Sequence, residues 1–329
     1  MHPFTYTRAS DEAGAVTSGS TDRASFLAGG TTLVDLMRLE VMRPESLVDL
    51  GGLALRKIEE SVDGSVKIGT LVTNAELAYH AAILKGFPVL SEAILAGASP
   101  QIRNVATTGG NLLQRTRCPY FRDPQITSCN KRVPGSGCSA IGGVTRSHAV
   151  LGTSEKCIAT HPSDMAVAMV ALDAVIHIRG AKGTRTIPAG DLHELPGQHP
   201  EKETVLAPGE LITHVELPAA PFAKRSRYLK VRDRASFAFA LASAAVAVQL
   251  EGGTIRAVRL ALGGVGTKPW RAKEAEEMLV GKKGDRAAFT AAAARALADA
   301  KAQEGNKFKI ELAQRTIVRA LEEVTGGPA

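Results

Sequence analysis

The sequence predicts an α+β protein made of two units that meet near residue 220. In the first unit strand-like and helix-like segments are interspersed, whereas the second reads as a strand meander followed by helices. Pro218 and Pro221 lie where this pattern changes. With a mass of 34.5 kDa, the chain is long enough to bury a core in each unit.

The first unit is expected to contain two subdomains, residues 1–60 and 61–220. In the smaller one, an apolar strand at residues 25–28, a glycine turn, a helix and a strand at residues 46–50 form a βαβ unit. The larger one has predicted strands at 66–69, 174–179 and 211–217, and predicted helices at 74–84, at 89–96 and from Asp164 onwards. Asn74 is expected to cap the first of these helices.

The second unit, residues 221–329, is expected to form a small antiparallel sheet and three helices. Its strands are predicted at 228–232, 240–250 and 255–262, and its helices at 272–280, 285–300 and 306–324. The pair Gly252-Gly253 lies between the last two strands, which is typical of a tight hairpin.

Composition is that of an ordinary globular protein, since 44% of the residues are hydrophobic and 22% are charged. No apolar run approaches the roughly 20 residues that span a bilayer. The first residues show no basic region followed by an apolar core, so cytoplasmic synthesis is expected, with periplasmic delivery by a signal-bearing partner left open. The net charge of +7 comes with only 4% aromatic residues, which argues against nucleic-acid binding.

Two glycine turns have the form of an anion cradle. The first, AGGTT at residues 28–32, lies between a strand and a helix, where backbone N–H groups and threonine hydroxyls can face a phosphate. It matches neither GxGxxG nor the P-loop pattern, so a plain tight turn explains it equally well. The second, TTGGN at residues 107–111, repeats the same chemistry. Two such turns favour a ligand with two phosphates, and therefore a dinucleotide.

All four cysteines fall within 40 residues, which random placement would produce only about one time in a hundred. They are Cys118, Cys129, Cys138 and Cys157. The absence of a CxxC pair argues against a zinc ribbon, and two disulfides would need an oxidising compartment. The Cys118-Pro119 step is common beside iron–sulfur ligands. Spacing alone ranks a 4Fe-4S cluster first, zinc second and disulfides third, without a strong preference.

Basic residues crowd the cysteine stretch, and they are Arg103, Arg115, Arg117, Arg122, Lys131, Arg132 and Arg146. Since an iron–sulfur cluster and a pyrophosphate are both anionic, these bases are expected to offset their charge. Asp164 is expected either to stabilise a helix dipole or to accept a hydrogen bond from a cofactor. Lys230 is either a solvated strand residue or a donor to a flavin carbonyl. His148 and His161 are expected to make structural hydrogen bonds, and no catalytic triad or carboxylate pair is found.

The segments at residues 26–33 and 101–112 resemble the two FAD loops of the FAD-binding (medium) subunit of the molybdenum hydroxylases, the xanthine dehydrogenase and aldehyde oxidase family. The cysteine stretch is similar to that of bacterial three-subunit aldehyde oxidoreductases in its segments CPYF, CNKR, PGSGC and SEKCIATHPSD. The segments KVRDRAS from Lys230 and LGGV from Leu262 resemble the family's C-terminal flavoprotein domain. The resemblance thus covers nearly the whole chain.

This resemblance implies a two-subdomain FAD-binding fold of the PCMH/vanillyl-alcohol-oxidase type at 1–220, with an iron–sulfur insert at about 115–160, and a C-terminal α+β domain with a three-stranded antiparallel sheet. The FAD contacts that it implies are Leu27, Ala28, Gly29, Gly30, Thr31, Thr32, Leu33, Thr107, Gly110, Asn111, Asp164, Ile212 and Lys230. It also implies that the four cysteines ligate one 4Fe-4S cluster. Gly97 departs from the pattern, because the xanthine enzymes have an aromatic residue there beside the flavin ring.

The function that the resemblance implies is that of an oxidoreductase, as the electron-transfer subunit of a molybdenum-containing aldehyde oxidoreductase. In such a heterotrimer, a large molybdenum-cofactor subunit oxidises the substrate and a small subunit with two 2Fe-2S clusters relays electrons to FAD, which passes them to an external acceptor. A flavin subunit of a 4-hydroxybenzoyl-CoA reductase-like or xanthine dehydrogenase-like enzyme is the main alternative. Other classes left open are a stand-alone flavoprotein oxidase and a zinc-stabilised binding protein.

Overall fold

The structure is a computed structural model that describes residues 1–326. Its described part contains three separate sheets with helices packed against them. The first sheet has the strands β1 (Thr5–Arg8), β2 (Ala24–Leu27) and β3 (Ser46–Asp49), in the order β1-β3-β2, and all pairs are parallel. The helices α1 (Glu12–Gly19) and α2 (Leu33–Arg38) belong to this part of the chain.

The βαβ unit predicted near the N-terminus is confirmed as β2, α2 and β3, but β1 and α1 were missed. The reason is that β1 is exposed along its whole length and α1 consists largely of small residues, so neither shows a hydrophobic period. Helix α1 begins instead through a cap, since the Asp11 carboxylate accepts a hydrogen bond from Gly14 N at 2.8 Å.

The second sheet is antiparallel and has the order β4-β5-β8-β6-β7. Its strands are β4 (Ile58–Glu60), β5 (Val66–Gly69), β6 (Val175–Gly180), β7 (Gly183–Pro188) and β8 (Leu211–Leu217). The helices of this part are α3 (Asn74–Tyr79), α4 (Ala81–Gly86), α5 (Pro88–Ala96), α6 (Pro100–Arg103), α7 (Thr108–Leu112), α8 (Pro119–Arg122) and α9 (Asp164–Ala171). Helix α9 is buried along its whole length and lies in one apolar core with α5 and this sheet.

The single helix predicted at 74–84 is wrong, because the chain breaks at His80, whose backbone is extended, and starts again as α4. The imidazole of His80 accepts a hydrogen bond from Ala82 N and thereby caps the new helix. The predicted cap residue was also wrong. Thr73 is the N-cap of α3, with a capping box to Glu76, and Asn74 is the first helical residue.

The third sheet lies in the C-terminal unit and has four strands rather than the predicted three, in the order β12-β11-β10-β9. They are β9 (Ser226–Val231), β10 (Ala242–Glu251), β11 (Thr254–Gly263) and β12 (Trp270–Arg271). Strand β12 could not be predicted from a sequence pattern because it has only two residues. Three helices, α10 (Lys273–Leu279), α11 (Arg286–Ala296) and α12 (Phe308–Thr325), follow the sheet as predicted, and α12 packs on β10.

The segment between α7 and α9, here called the cysteine insert (residues 113–163), consists mostly of turns around the short helix α8. It contacts both units of the chain. Phe121 and Cys129 form an apolar cluster with Leu36 of α2, and Val150 N donates to Val265 O at 2.8 Å. The insert is therefore held between the N-terminal sheet and the C-terminal unit.

Within residues 1–326, no helix combines the length and the apolar character needed to cross a membrane.

Helix α12 carries a buried lysine. Lys309 is 0% exposed, and its ammonium donates to the backbone oxygens of His148 and Gly264. Burial lowers the pKa of Lys309 to about 7, and the nearby Arg146 guanidinium acts in the same direction. The folded state thus binds this proton more weakly than the unfolded chain does.

The free energy of unfolding is therefore expected to rise by ~1 kcal/mol between pH 6 and pH 8 relative to the variant Lys309→Met. The sign follows because the folded pKa lies below the unfolded pKa, so the cost of burying the charge falls as the pH rises above about 7. Urea unfolding of both proteins at the two pH values measures the difference. Identical pH dependence in both would contradict the assignment.

Candidate functional site

The two glycine turns lie directly against each other. A Cβ atom at Gly29 would come within 2.1 Å of Val105 O, and a Cβ at Gly109 within 1.9 Å of Thr70 Oγ1. Only glycine at position 29 permits this close approach of the first turn to the backbone just before the second, and glycine at position 109 leaves room for the Thr70 hydroxyl. Turns that lie far apart in the sequence therefore form one continuous surface.

Gly30 adopts a left-handed backbone, with φ of +70°. A side chain there would meet both Val34 Cγ2 at 3.1 Å and Leu27 Cδ1 at 3.4 Å. Thr32 stands at the N-cap of α2, but its hydroxyl makes no capping hydrogen bond. In the second turn the Thr107 hydroxyl accepts a hydrogen bond from Gly110 N at 3.2 Å. The narrow, side-chain-poor surface at Gly29 and Gly30 is the shape that close binding of a pyrophosphate requires.

Two cavities meet at these turns. The first, of about 240 Å³, lies between the turns and the start of β8, and the second, of about 830 Å³, extends between α5 and β9. Thr31, Thr32 and Gly110 line both. Together they form one elongated site that can take an adenine nucleotide at one end and a ring system at the other.

Nearly all of the predicted FAD contacts line this site. The smaller cavity is lined by Ala28, Gly29, Gly30, Thr31, Thr32, Leu33, Thr107, Gly110 and Ile212, and the larger one by Asn111, Asp164 and Lys230 together with the shared residues. Leu27 is the exception, since it lies on β2 behind the turn and lines neither cavity.

A buried polar network stands at the wall of the larger cavity. The Asp164 carboxylate accepts hydrogen bonds from Tyr228 Oη at 2.6 Å and from Lys230 Nζ at 2.8 Å. Burial raises the pKa of Tyr228 well above its usual range, and the Asp164 charge adds to this, so the phenol stays protonated and donates. Helix α9 is capped by Ser163, whose hydroxyl also donates to Asn111 Oδ1 at 2.7 Å.

The sequence left Asp164 and Lys230 each with two alternatives, and the structure joins them in one ion pair whose side chains are 9% and 4% exposed. Lys230 Nζ donates in addition to Ala96 O at 3.0 Å. Lys230 is therefore not a solvated strand residue. It lies where it can reach a group in the cavity.

The variant Lys230→Met is expected to lower the free energy of unfolding of the apoprotein by about 3 kcal/mol, because it leaves the Asp164 carboxylate buried without its cation. Denaturant unfolding measures this loss. Lys224→Met is the control, since Lys224 is exposed and its replacement should change stability by less than ~0.5 kcal/mol. Equal free energies of unfolding for both variants would show that the ion pair does not stabilise the protein.

Several residues of the larger cavity were missed by sequence reasoning. Asn74 is 3% exposed and lines the cavity, and its Oδ1 has no hydrogen-bond partner among residues 1–326. A buried amide oxygen without a partner is costly, so this atom fits a donor from a bound ligand. The sequence could not show this, because an asparagine at a helix start is explained by capping.

Gly97 also lines the larger cavity, and a Cβ at this position would lie 3.3 Å from Asp164 Oδ2. A large side chain would therefore press on the Asp164–Lys230 pair. The aromatic residues that do line the cavity, Phe237 and Phe239, come from the segment between β9 and β10.

The four cysteines lie around a second, smaller cavity inside the cysteine insert, and all of them line it. Their thiols are free. Cys129 and Cys138 face each other across an antiparallel bridge, and Cys118 precedes α8. Burial raises the pKa of the Cys118 thiol to about 12 and also raises that of Cys157, where Lys131 opposes the shift. The geometry brings together thiols that are up to 39 positions apart in the sequence.

In the described part of the chain, no three His, Cys, Asp or Glu side chains converge closely enough to hold a single metal ion. The cysteines therefore do not by themselves define a single-ion site among the described residues.

The basic residues around the insert are largely paired within the chain, and their expected role of offsetting cofactor charge stays a prediction. Arg117 and Arg122 bind Asp35, and Arg115 and Lys131 bind Glu203. The remaining pairings are Arg146 with Asp233, Arg132 with the carbonyls of residues 120, 121, 123 and 126, and Arg103 with Gly97 O. These bases tie the insert to its neighbours.

The two histidines expected to be structural make different contacts. His161 Nε2 lies 3.1 Å from His193 Nε2, and His148 Nε2 lies 3.2 Å from Cys118 Sγ. Burial lowers the pKa of His148 to about 4, and the charge of Lys309 acts in the same direction. His148 is therefore a neutral imidazole beside a sulfur atom.

Comparison with known protein families decides the class. Residues 2–220 match the FAD binding domain in molybdopterin dehydrogenase, and residues 227–324 match the CO dehydrogenase flavoprotein C-terminal domain. The chain belongs to the FAD-binding medium subunits of the molybdenum hydroxylases. Its predicted fold class and its assignment as an oxidoreductase subunit are thereby confirmed.

Individual relatives of this family cover almost the whole chain. The aldehyde oxidoreductase FAD-binding subunit PaoB of Escherichia coli K12 is 50% identical over 325 residues, or 98% of each chain. The glyceraldehyde dehydrogenase medium chain of Sulfolobus acidocaldarius is 30% identical over 86% of this chain and 84% of its own. Among solved structures, a crystal structure of Cu,Mo-CO dehydrogenase aligns with a TM-score of 0.77 and 27% identity over 99% of both chains.

Proposed function

We propose that this medium subunit transfers electrons in a molybdenum-containing aldehyde oxidoreductase, with FAD as its flavin. The observation that carries the proposal is the 50% identity, over nearly the full length, to a subunit named for aldehyde oxidoreductase. More distant relatives are named for glyceraldehyde, carbon monoxide and nicotine substrates. Because this substrate range accompanies one medium-subunit fold, the substrate is expected to be chosen by another subunit.

FAD fits the elongated site on two features of the structure. Gly29 lets the first turn pack against the backbone before the second, and left-handed Gly30 forms a turn without a side chain, so backbone N–H groups can face a phosphate. Asn74 Oδ1, which has no partner among the described residues, offers an acceptor to a ring N–H or a hydroxyl. When bound, FAD supplies the ability to exchange electrons singly or in pairs. The chain's own contribution is to hold phosphates at the turns and to present Lys230 at the wall of the larger cavity.

We also propose that Cys118, Cys129, Cys138 and Cys157 hold one 4Fe-4S cluster in this chain. The supporting facts are that four free thiols line one cavity and that Cys129 and Cys157 are buried. A 4Fe-4S cluster takes one thiolate at each of its four iron atoms, which matches four cysteines around one cavity. Ligation requires loss of the thiol protons, so assembly should release protons.

The partners proposed are a large molybdenum-cofactor subunit and a small subunit with two 2Fe-2S clusters, together with an external electron acceptor. The test is to purify the chain with FAD and to add these two subunits with an aldehyde. The flavin absorbance should bleach only in the assembled complex. Aldehyde oxidation by the chain alone would instead support a stand-alone flavoprotein oxidase, and a complex active on a purine but not on aldehydes would support a xanthine dehydrogenase-like enzyme.

A further inference from the structure

One side chain of the cysteine insert that is not a proposed ligand touches a sulfur atom. His148 is 1% exposed, and its Nε2 lies 3.2 Å from Cys118 Sγ. This is within the range of a hydrogen bond to sulfur, which is longer than one to oxygen. The ring also lies beside Tyr120, with the ring centroids 6.0 Å apart. His148 is therefore fixed at the edge of the cysteine cavity.

The backbone of His148 is fixed from the C-terminal unit. Asn306 Nδ2 donates to His148 O at 3.3 Å and to Ala149 O at 3.1 Å, and Lys309 Nζ donates to His148 O at 3.0 Å. Asn306 and Lys309 are both 0% exposed. On the other side, His148 N donates to Thr145 O at 2.8 Å. These hydrogen bonds hold the imidazole against the sulfur, and the anchoring residues lie about 160 positions further along the chain.

We propose that His148 is a positioning residue for the cluster, and that its Nε2–H donates a hydrogen bond to the sulfur of Cys118 and thereby raises the reduction potential of the cluster. A cysteine that binds iron has lost its proton, so its sulfur can only accept. Nε2 must then carry the hydrogen. Reduction adds negative charge to the cluster and its sulfur ligands, so the hydrogen bond is stronger in the reduced form. This inference rests on the proposed 4Fe-4S cluster.

Two substitutions of the same residue separate the hydrogen bond from its surroundings. In His148→Gln the amide nitrogen reaches about the position of Nε2, whereas in His148→Asn it stops one bond short. The full-length protein, loaded with FAD and iron, is titrated with reductant while the reduced cluster is followed by electron paramagnetic resonance. At a fixed potential, His148→Asn should show an about tenfold lower ratio of reduced to oxidised cluster, or about 59 mV for one electron. His148→Gln should stay close to the unchanged protein.

Tyr120→Phe is the matched control. It removes the hydroxyl that accepts a hydrogen bond from Val144 N at 2.7 Å, which loosens the same insert without removing a donor to sulfur. Its cluster potential should stay unchanged. If Tyr120→Phe and His148→Asn shift the potential equally, general loosening is the cause and the inference is overturned. The same conclusion follows if the Asn and Gln variants have the same potential as the unchanged protein.

Iron and sulfide analysis separates a failure of the proposed cluster from a failure of the proposed role of His148. An unchanged protein without about four iron atoms per chain would refute the proposed cluster itself. A protein with a full cluster whose reduction potential is unchanged by substitution of residue 148 would refute only the role of His148. Should His148→Asn fail to keep its iron, pulsed resonance on protein labelled with ¹⁵N-histidine gives the answer without a substitution. A weak coupling of the reduced cluster to one histidine nitrogen is expected, and its absence would overturn the inference.

Discussion

Gly30→Val is expected to abolish FAD retention during purification and to weaken FAD binding by a factor on the order of 100, or about 2.8 kcal/mol. The valine would force a β-branched side chain onto a backbone with φ of +70°, and its Cβ would lie 3.4 Å from Leu27 Cδ1, so the turn whose N–H groups face the pyrophosphate would have to shift. It would also press on Val34, which is already 3.1 Å from the position of that Cβ. The ratio of flavin to protein absorbance measures the loss, and titration of the apoprotein with FAD gives the affinity.

The control for backbone strain is Gly252→Val. Gly252 is left-handed as well, with φ of +56° against +70° for Gly30, but it lies in the hairpin between β10 and β11 with nothing within 4 Å of its Cβ position. Both variants lose about 1–2 kcal/mol through the left-handed backbone. Only the variant at Gly30 should lose FAD. If both variants lose FAD equally, general destabilisation explains the result and the cradle at Gly30 is wrong.

Replacing any one of the four cysteines by serine is expected to remove most of the iron from the chain and with it the broad visible absorption of the cluster. The thiolate is the ligand that iron–sulfur clusters use, and a cavity that is built around four of them leaves no substitute at the vacant corner. The effect should be largest for Cys129→Ser and Cys157→Ser, because these two residues are the most buried of the four. Iron and sulfide analysis of the purified variants measures the result.

Ser128→Ala is the matched control, since Ser128 lines the same cavity next to Cys129 but has no thiol. It should keep its iron, and its FAD content should equal that of the unchanged protein. The FAD content of the cysteine variants is expected to fall less than their iron content, because the cradle residues lie outside the cysteine cavity. Full iron in all four single variants would contradict ligation by these cysteines.

The sequence by itself determined most elements of the fold wherever a hydrophobic period was present. The helix α12 and the strands β10 and β11 follow their predictions closely, because α12 buries one face against the core and the two strands are long apolar runs that are mostly buried. Elements without such a period were not predictable. Strand β1 is exposed throughout, and β12 has two residues, so neither left a pattern in the sequence.

The break at His80 shows a limit of a different kind. The apolar residues on both sides keep a helical spacing, which predicts a single helix at 74–84. The tertiary structure divides it at the extended His80, and α3 and α4 both pack on α5. Local pattern cannot report this choice, since it depends on a helix that comes later in the chain.

The residue types of the candidate site were also visible in the sequence, in the two glycine turns and the four cysteines. Only the tertiary structure decided how they meet. It placed Gly29 against Val105, joined Asp164 to Lys230 across 66 positions, and turned the basic residues of the insert towards Asp35 and Glu203. The local sequence determines which side chains and backbone groups one loop or helix presents. Which distant segments contact each other depends on how the helices and sheets pack. The bare oxygen of Asn74 and the contact between His148 and Cys118 follow from that packing alone.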